Sequence, residues 1–377
     1  MLGFNLGRDL ILSPDSGTYL ACAKRLIAPD GSLFAYLSQP VCIPAPLSTL
    51  TPVALLALIQ TFLPAHWQAV IHIGQTLLAL VALGVALALV HRLAKTPQES
   101  RKAACVLGAL TLCFTDLMLW PSYLLSDTLY ALCTMMALDL ACRISSWGMI
   151  SPAKRIAYSL AALACLALIM TTRPVGMATL IGLALGLVLA SSSLAARSPS
   201  RLVLASLIAL LAAALAYATL IGVLSTLGDS STLIAQVVRR ASLGMVATGR
   251  EAGWLTPSHE PLDLTRLYLL RWVHFFTPTA ASYSFIHNAA NSLLLGSFGL
   301  AIVLWVRGQL LLSLAQQKAL VVCFCLISTV AGFHAATILD FDWRYRFPVL
   351  LPMMIFTSII FSQLPQSQQH WLDCMRI

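Results

Sequence analysis

The sequence predicts an all-α, polytopic membrane protein of about nine transmembrane helices, and three observations carry that prediction. The first is composition: 377 residues of which 59% are hydrophobic and only 10% charged, with a mean hydropathy of +0.85, lie well to the apolar side of soluble domains. The second is run length, because the apolar stretches are continuous over the roughly 17 to 25 residues that a helix needs to cross a hydrocarbon core. Strands of a membrane barrel would alternate in polarity instead. The third is the distribution of Lys and Arg among the connections, which sorts alternate loops to opposite faces.

Taken in order, the chain opens with residues 1–67, too polar to span. Within them, 47–63 is an apolar run interrupted by Pro52 and closed by Pro64, expected to lie in the interface or to re-enter. Apolar segments then follow at 68–90, 103–119, 124–142, 156–172, 175–194, 202–225, 289–306, 319–338 and 347–363. Between the sixth and seventh lies 226–288, where "LIAQVVRRASLGM" and "PLDLTRLYLLRWVHFF" mix apolar and basic residues at helical spacing, as interfacial helices do. Residues 1–377 read as one integral membrane domain, with 1–67 and 226–288 as its outer-face loops and no separate globular part.

One set of short connections holds Arg92, Lys95, Arg101, Lys102, Arg143, Lys154, Arg155, Arg197, Arg201, Arg307 and Lys318, with Arg376 in the tail. The opposite short connections hold only Arg173, Arg344 and Arg346. The first set is therefore expected on the cytoplasmic side. Apart from Glu99, Asp139 and Asp373, the acids fall on the other side, so any chemistry is expected at the outer face. Nine spans with residues 1–67 outside require a further helix upstream of Met1, because "MLGFNLGRDLIL" is too short for a span and lacks a signal peptide's basic start.

Several function classes have nothing to rest on. A formal net charge of +9 belongs here to membrane sidedness rather than to nucleic acid. The sequence has no GxxxxGK[ST], strand-linked GxGxxG, GxSxG or HExxH pattern. Its ten Cys lack metal spacing and read as small helix-packing residues, except Cys22 and Cys42, which an oxidising outer compartment would let pair. Lone histidines such as His274 and His334 read as structural or interfacial.

Four outer-face clusters hold the candidate site. In "PDSGTYLACAKRL", Asp15 is a helix cap or a catalytic acid, with Tyr19 following it. In "WPSYLLSDTLY", Ser126 and Asp127 open an apolar helix, where a carboxylate is either held by the helix dipole or functional. In "TTRPVG", Arg173 is an interfacial anchor or a phosphate-binding fork. In "LDFDWRYRFPVLLP", Asp340, Asp342, Arg344, Tyr345 and Arg346 crowd one short loop, more charge than a turn requires.

In their order and common sidedness these clusters resemble the GT-C superfamily of polyprenyl-phosphate-sugar-dependent membrane glycosyltransferases, in particular the bacterial branch related to protein mannosyltransferases and aminoarabinose transferases. The matching positions are Pro14, Asp15, Ser16, Tyr19, Ala23 and Leu26; then Gln75; then Pro121, Ser126 and Asp127, with Asp where Glu is usual. Arg173, Pro174 and Gly176 follow, and last Arg344, Tyr345, Pro348 and Pro352 with slight respacing. Pro14 to about Phe361 is covered.

The resemblance implies inverting transfer of a sugar from a polyprenyl-phosphate donor to a lipid, glycan or protein acceptor, at the periplasmic face of a bacterial inner membrane. Asp15 and Asp127 are then the catalytic carboxylates. Tyr19, Arg173, Arg239, Arg240, Asp342, Arg344, Tyr345 and Arg346 contact substrate, with the arginines on the lipid phosphate. The family allows a divalent metal, but no ligand set in this sequence requires one, and no other cofactor is expected. The competing readings are a flippase or transporter of lipid-linked glycans, which the nearly charge-free helix centres disfavour, and an O-antigen polymerase or ligase.

Overall fold

The computed structural model describes residues 10–12, 14–28, 31, 49–114, 117, 120–124, 126–144, 151–173, 175–191, 199–200, 203, 261–279, 284–308, 310–337 and 346–364. Among them the secondary structure is helical, apart from one isolated parallel bridge between Ile11 and Tyr123. The helices are α1 (Pro14–Leu26), α2 (Leu50–Phe62), α3 (Trp67–Leu93), α4 (Pro97–Cys113), α5 (Asp127–Ile144) and α6 (Pro152–Thr172). They continue with α7 (Gly176–Ser191), α8 (Pro261–Phe275), α9 (Phe285–Val306), α10 (Leu314–Thr337) and α11 (Phe347–Ser362), and a 3-10 turn spans Trp120–Ser122.

Four stretches are long and apolar enough to cross a membrane: Trp67–Leu93, Pro152–Thr172, Phe285–Val306 and Leu314–Ala335. Shorter apolar helices are α2, α7 and α11. The expected span 202–225 lies almost wholly outside the described residues, as does most of the 226–288 loop before α8. Two boundaries differ from the sequence reading for local reasons. Pro52 lies in the first turn of α2 and does not break it, because a first-turn proline forfeits no intrahelical hydrogen bond. The span expected at 103–119 is the helix Pro97–Cys113, which starts earlier because Thr96 caps it by accepting from Glu99 N.

The core forms around α11, an apolar helix in which nearly every residue from Phe347 to Ile360 is buried. A helix apolar on all sides must be covered on all sides, and α3, α4, α5, α9 and α10 pack against it. The most extensive packing in the bundle joins α7 and α10. It depends on two glycines four residues apart: a Cβ on Gly182 would lie 2.8 Å from Leu326 Cα, and one on Gly186 2.8 Å from Val322 Cα. Small residues at this spacing let membrane helices approach closely. The outer helices leave apolar side chains uncovered, as Ile156, Leu160 and Leu163 of α6 show, each more than 60% exposed.

The two ends of the bundle carry different chemistry. At one end Asp139 pairs with Arg92 (2.6 Å) and Arg143 (2.7 Å). At the same end Glu99 Oε2 accepts from Lys95 N (3.0 Å), while Oε1 accepts from the side-chain amides of Gln316 and Gln363. Glu99 thus ties the starts of α4 and α10 to the end of α11. These ends belong to the loops that charge counting assigns to the cytoplasm. The opposite end gathers the candidate residues.

Candidate functional site

The site begins with the docking of α1. Ile11 N donates to Ser122 O (2.7 Å) and Leu124 N to Ile11 O (3.0 Å), so the segment entering α1 is stitched to the turn that precedes α5. Ser16, fully buried, donates from Oγ to Leu124 O (2.8 Å), and the Tyr19 hydroxyl shares a hydrogen bond with Ser126 Oγ (3.2 Å). Beneath them Cys22 and Ala23 pack with Val53, Leu56, Ala57, Ile71 and Leu124 in a small apolar cluster. Two motifs about 108 residues apart in sequence are therefore in contact.

Cys22 is disulfide-bonded, which fits an oxidising compartment at this end. Cys42, the partner suggested by sequence, lies outside the described residues. Asp15 is the second residue of α1, so its backbone stands in the first helical turn, where a carboxylate is favoured by the helix dipole. Its side chain is outside the described part of the structure.

Asp127 is the first residue of α5 and only 1% exposed. Ser126 O accepts from Tyr130 N (3.0 Å) to close the first turn of the helix around it. The Asp127 carboxylate pairs with the guanidinium of Arg173, the residue that ends α6. Arg173 is fixed there by a sharp reversal in which Gly176 N donates to Arg173 O (2.9 Å). A side chain at Gly176 would strike the backbone of Ile169 and Met170, so the glycine is required by close approach.

His334, in the last turns of α10, is buried and lies within electrostatic reach of Arg173. Its ring is stacked on Phe275 (5.7 Å between centroids, 14° between planes) and meets Phe333 edge-on. Arg346, which precedes α11, is also buried and donates to Thr277 O (2.7 Å) and His274 O (3.4 Å), closing the carbonyl end of α8. The structure thus brings Tyr19, Asp127 and Arg173 to one end of the bundle and gives Arg346 a capping role. Arg239, Arg240, Asp342, Arg344 and Tyr345 lie outside the described residues.

Sequence reasoning did not single out His334 as a neighbour of Arg173, nor Arg271 of α8, which is 2% exposed. A signal for Arg271 existed in the sequence: Leu264, Tyr268 and Phe275 recur at helical spacing, and Arg271 falls at the same register. Among the described residues no three His, Cys, Asp or Glu side chains gather as metal ligands. Comparison of the chain with family models, with characterised proteins and with solved structures gives no match.

Proposed function

We propose that this protein is a membrane glycosyltransferase that moves a sugar from a polyprenyl-phosphate donor to an acceptor at the outer, periplasmic face of a bacterial inner membrane. The observation that carries the reading is the contact of the "PDSGTY" helix with the "SYLLSD" turn, beside an arginine held in an ion pair. An acid-bearing helix, a buried carboxylate and a guanidinium from three separate parts of the chain converge where the charge pattern expects the outer face.

In this mechanism Asp15 accepts the proton of an acceptor hydroxyl as the oxygen attacks the anomeric carbon. The bond from that carbon to the phosphate oxygen breaks, and polyprenyl phosphate leaves with the electron pair. One displacement inverts the anomeric centre. Arg173, with Arg344 and with Arg239 or Arg240, stabilises the charge on the departing phosphate. Asp127 holds Arg173 in place and lowers the cost of keeping a guanidinium in a largely buried position. Tyr19, Asp342 and Tyr345 are assigned to substrate contact, and Arg346 to holding the carbonyl end of α8.

The test is sugar transfer in membranes containing the wild-type chain or Asp15→Asn at matched protein level, offered a panel of polyprenyl-phosphate sugars. Transfer by wild type and a loss of at least about a hundredfold in Asp15→Asn is the expected result for a general base. Equal transfer by the two removes Asp15 from the reaction. Absence of transfer from every donor by wild type overturns the reading.

A further inference from the structure

Between α1, α2, α3 and the start of α5 lies a cleft of about 210 Å³ to which the reaction scheme above assigns no occupant. Its walls are Leu55 and Ile59 of α2, Ile71 and Leu78 of α3, and Leu129 of α5. Three polar side chains reach it: Tyr19, Ser126 and Gln75. Among the described residues no charged side chain lines it.

Three features indicate what it holds. The α2 helix has 13 residues, too short to span, and exposes Leu55, Leu58 and Phe62, so the outer wall of the cleft faces an apolar phase. The volume is smaller than the roughly 300 to 1,000 Å³ of a pocket that encloses a whole ligand, so it suits a length of one chain. The polar end is the hydroxyl pair Tyr19–Ser126, one residue from Asp127 and one helical turn from Asp15 along α1. Hydroxyls that hydrogen-bond each other can instead bond a hydroxyl of a ligand. Among the described residues no cation lines the cleft, so a phosphate held there would have none of them to offset its desolvation.

We propose that the acceptor is a membrane amphiphile with a neutral, hydroxyl-bearing head, whose chain lies in the cleft between α2 and α3 with its head at Tyr19 and Ser126. This rests on the transferase reading, and it assigns the donor phosphate elsewhere, to the arginine side of the Asp127–Arg173 pair. The acceptor hydroxyl then reaches the site from the bilayer, one helical turn along α1 from Asp15.

The experiment uses the full-length chain in lipid nanodiscs and a monoacylglycerol carrying a photoreactive diazirine in its chain, beside an alkyl phosphate carrying the same diazirine chain. The expected result is labelling of peptides within 50–62 and 67–93 by the neutral probe, several-fold above the phosphate probe. Gly74 lines the cleft, and a Cβ placed on it meets no atom within 4 Å. Gly74→Leu therefore carries its side chain into the cleft from a Cβ that meets no atom, and lowers labelling about tenfold or more, with a melting temperature level or raised through helix propensity. Leu129→Phe narrows the cleft from another helix and gives the same loss independently.

Equal labelling by the two probes, or labelling unchanged in both variants, overturns the inference. Sugar transfer to a water-soluble acceptor that is unaffected by Gly74→Leu overturns the assignment of the acceptor. Labelling as predicted, with no transfer from any donor, supports the occupant of the cleft and overturns the transferase reading, so the two failures are told apart.

Discussion

Asp127, the first residue of α5, and Arg173, the residue that closes α6, form an ion pair in which each charge stands at the helix end whose dipole favours it. An acid at a helix amino end and a base at a carboxyl end are stabilised twice, by their own helix and by each other. The arrangement makes the pair a joint between α5 and α6. Its guanidinium keeps 17% exposure.

Removing one partner leaves the other largely buried and uncompensated. Asp127→Ala is expected to cost about 3 kcal/mol, the lower end of what breaking a buried pair costs, because Arg173 keeps some exposure. Replacing both partners with apolar residues, Asp127→Leu with Arg173→Met, is expected to restore most of that loss. Thermal unfolding in detergent measures both. A double variant no more stable than Asp127→Ala would show that the pair is not the source of the loss.

The same substitution at two glycines should act with opposite signs. Gly182→Ala places its Cβ 2.8 Å from Leu326 Cα in the α7–α10 contact, an overpacking expected to cost about 1 to 3 kcal/mol. Gly296→Ala in α9 meets no atom within 4 Å and should stabilise by up to about 1 kcal/mol through helix propensity. Melting temperatures of the two variants, falling for the first and level or rising for the second, check the prediction.

Much of this architecture is legible in the sequence because membrane helices announce themselves by apolar length alone. Segment 68–90 is the helix Trp67–Leu93, and segment 347–363 is Phe347–Ser362. The errors fall where a local cap outweighs hydropathy: α4 begins at Pro97 because Thr96 caps it, although Glu99, Arg101 and Lys102 lower its mean hydropathy. In the site, Asp127 and Arg173 are each visible as an unusual charge at a helix end. Their pairing is not, because it joins residues from different helices, and period or spacing carries no information on such a contact. Arg346 shows the converse: its crowded loop suggests a ligand site, whereas its partners are the backbone carbonyls of His274 and Thr277, which no side-chain pattern records.

At the far end of the bundle Glu99 acts as a structural clasp. It is 8% exposed and accepts from Lys95 N and from the amides of Gln316 and Gln363. Glu99→Ala deprives the buried amide of Gln316 on α10 and the half-buried amide of Gln363, just past α11, of an acceptor and should cost about 1 to 3 kcal/mol. Because this cluster lies at the other end from Tyr19 and Asp127, diazirine labelling of the cleft should be unchanged in protein that is still folded. Labelling lost in parallel with stability would instead show that the two ends are coupled through α11.

The docking of α1 can be tested apart from the bundle core. Ser16 is fully buried, and its hydroxyl bonds Leu124 O; Ser16→Ala leaves that carbonyl without this donor, a penalty of about 1 to 3 kcal/mol if no other donor reaches it. The bond joins α1 to one turn only, so the cost falls on local detachment of α1 and not on global unfolding. Lys24 and Arg25, exposed in the last turn of α1, supply the readout as tryptic sites that a docked helix protects. Ser16→Ala should be cleaved there about ten times faster or more than wild type, with the melting of the core unchanged, since opening governs cleavage when reclosing is fast. Tyr19→Phe removes a hydrogen bond to a hydroxyl that can turn elsewhere and should raise cleavage far less. If Ser16→Ala is cut no faster than wild type, α1 is held by its other contacts, the Ile11 backbone bonds, the Cys22 disulfide and the apolar cluster of Cys22, Ala23 and Leu124, and the seryl bond contributes nothing to keeping Asp15 at the site.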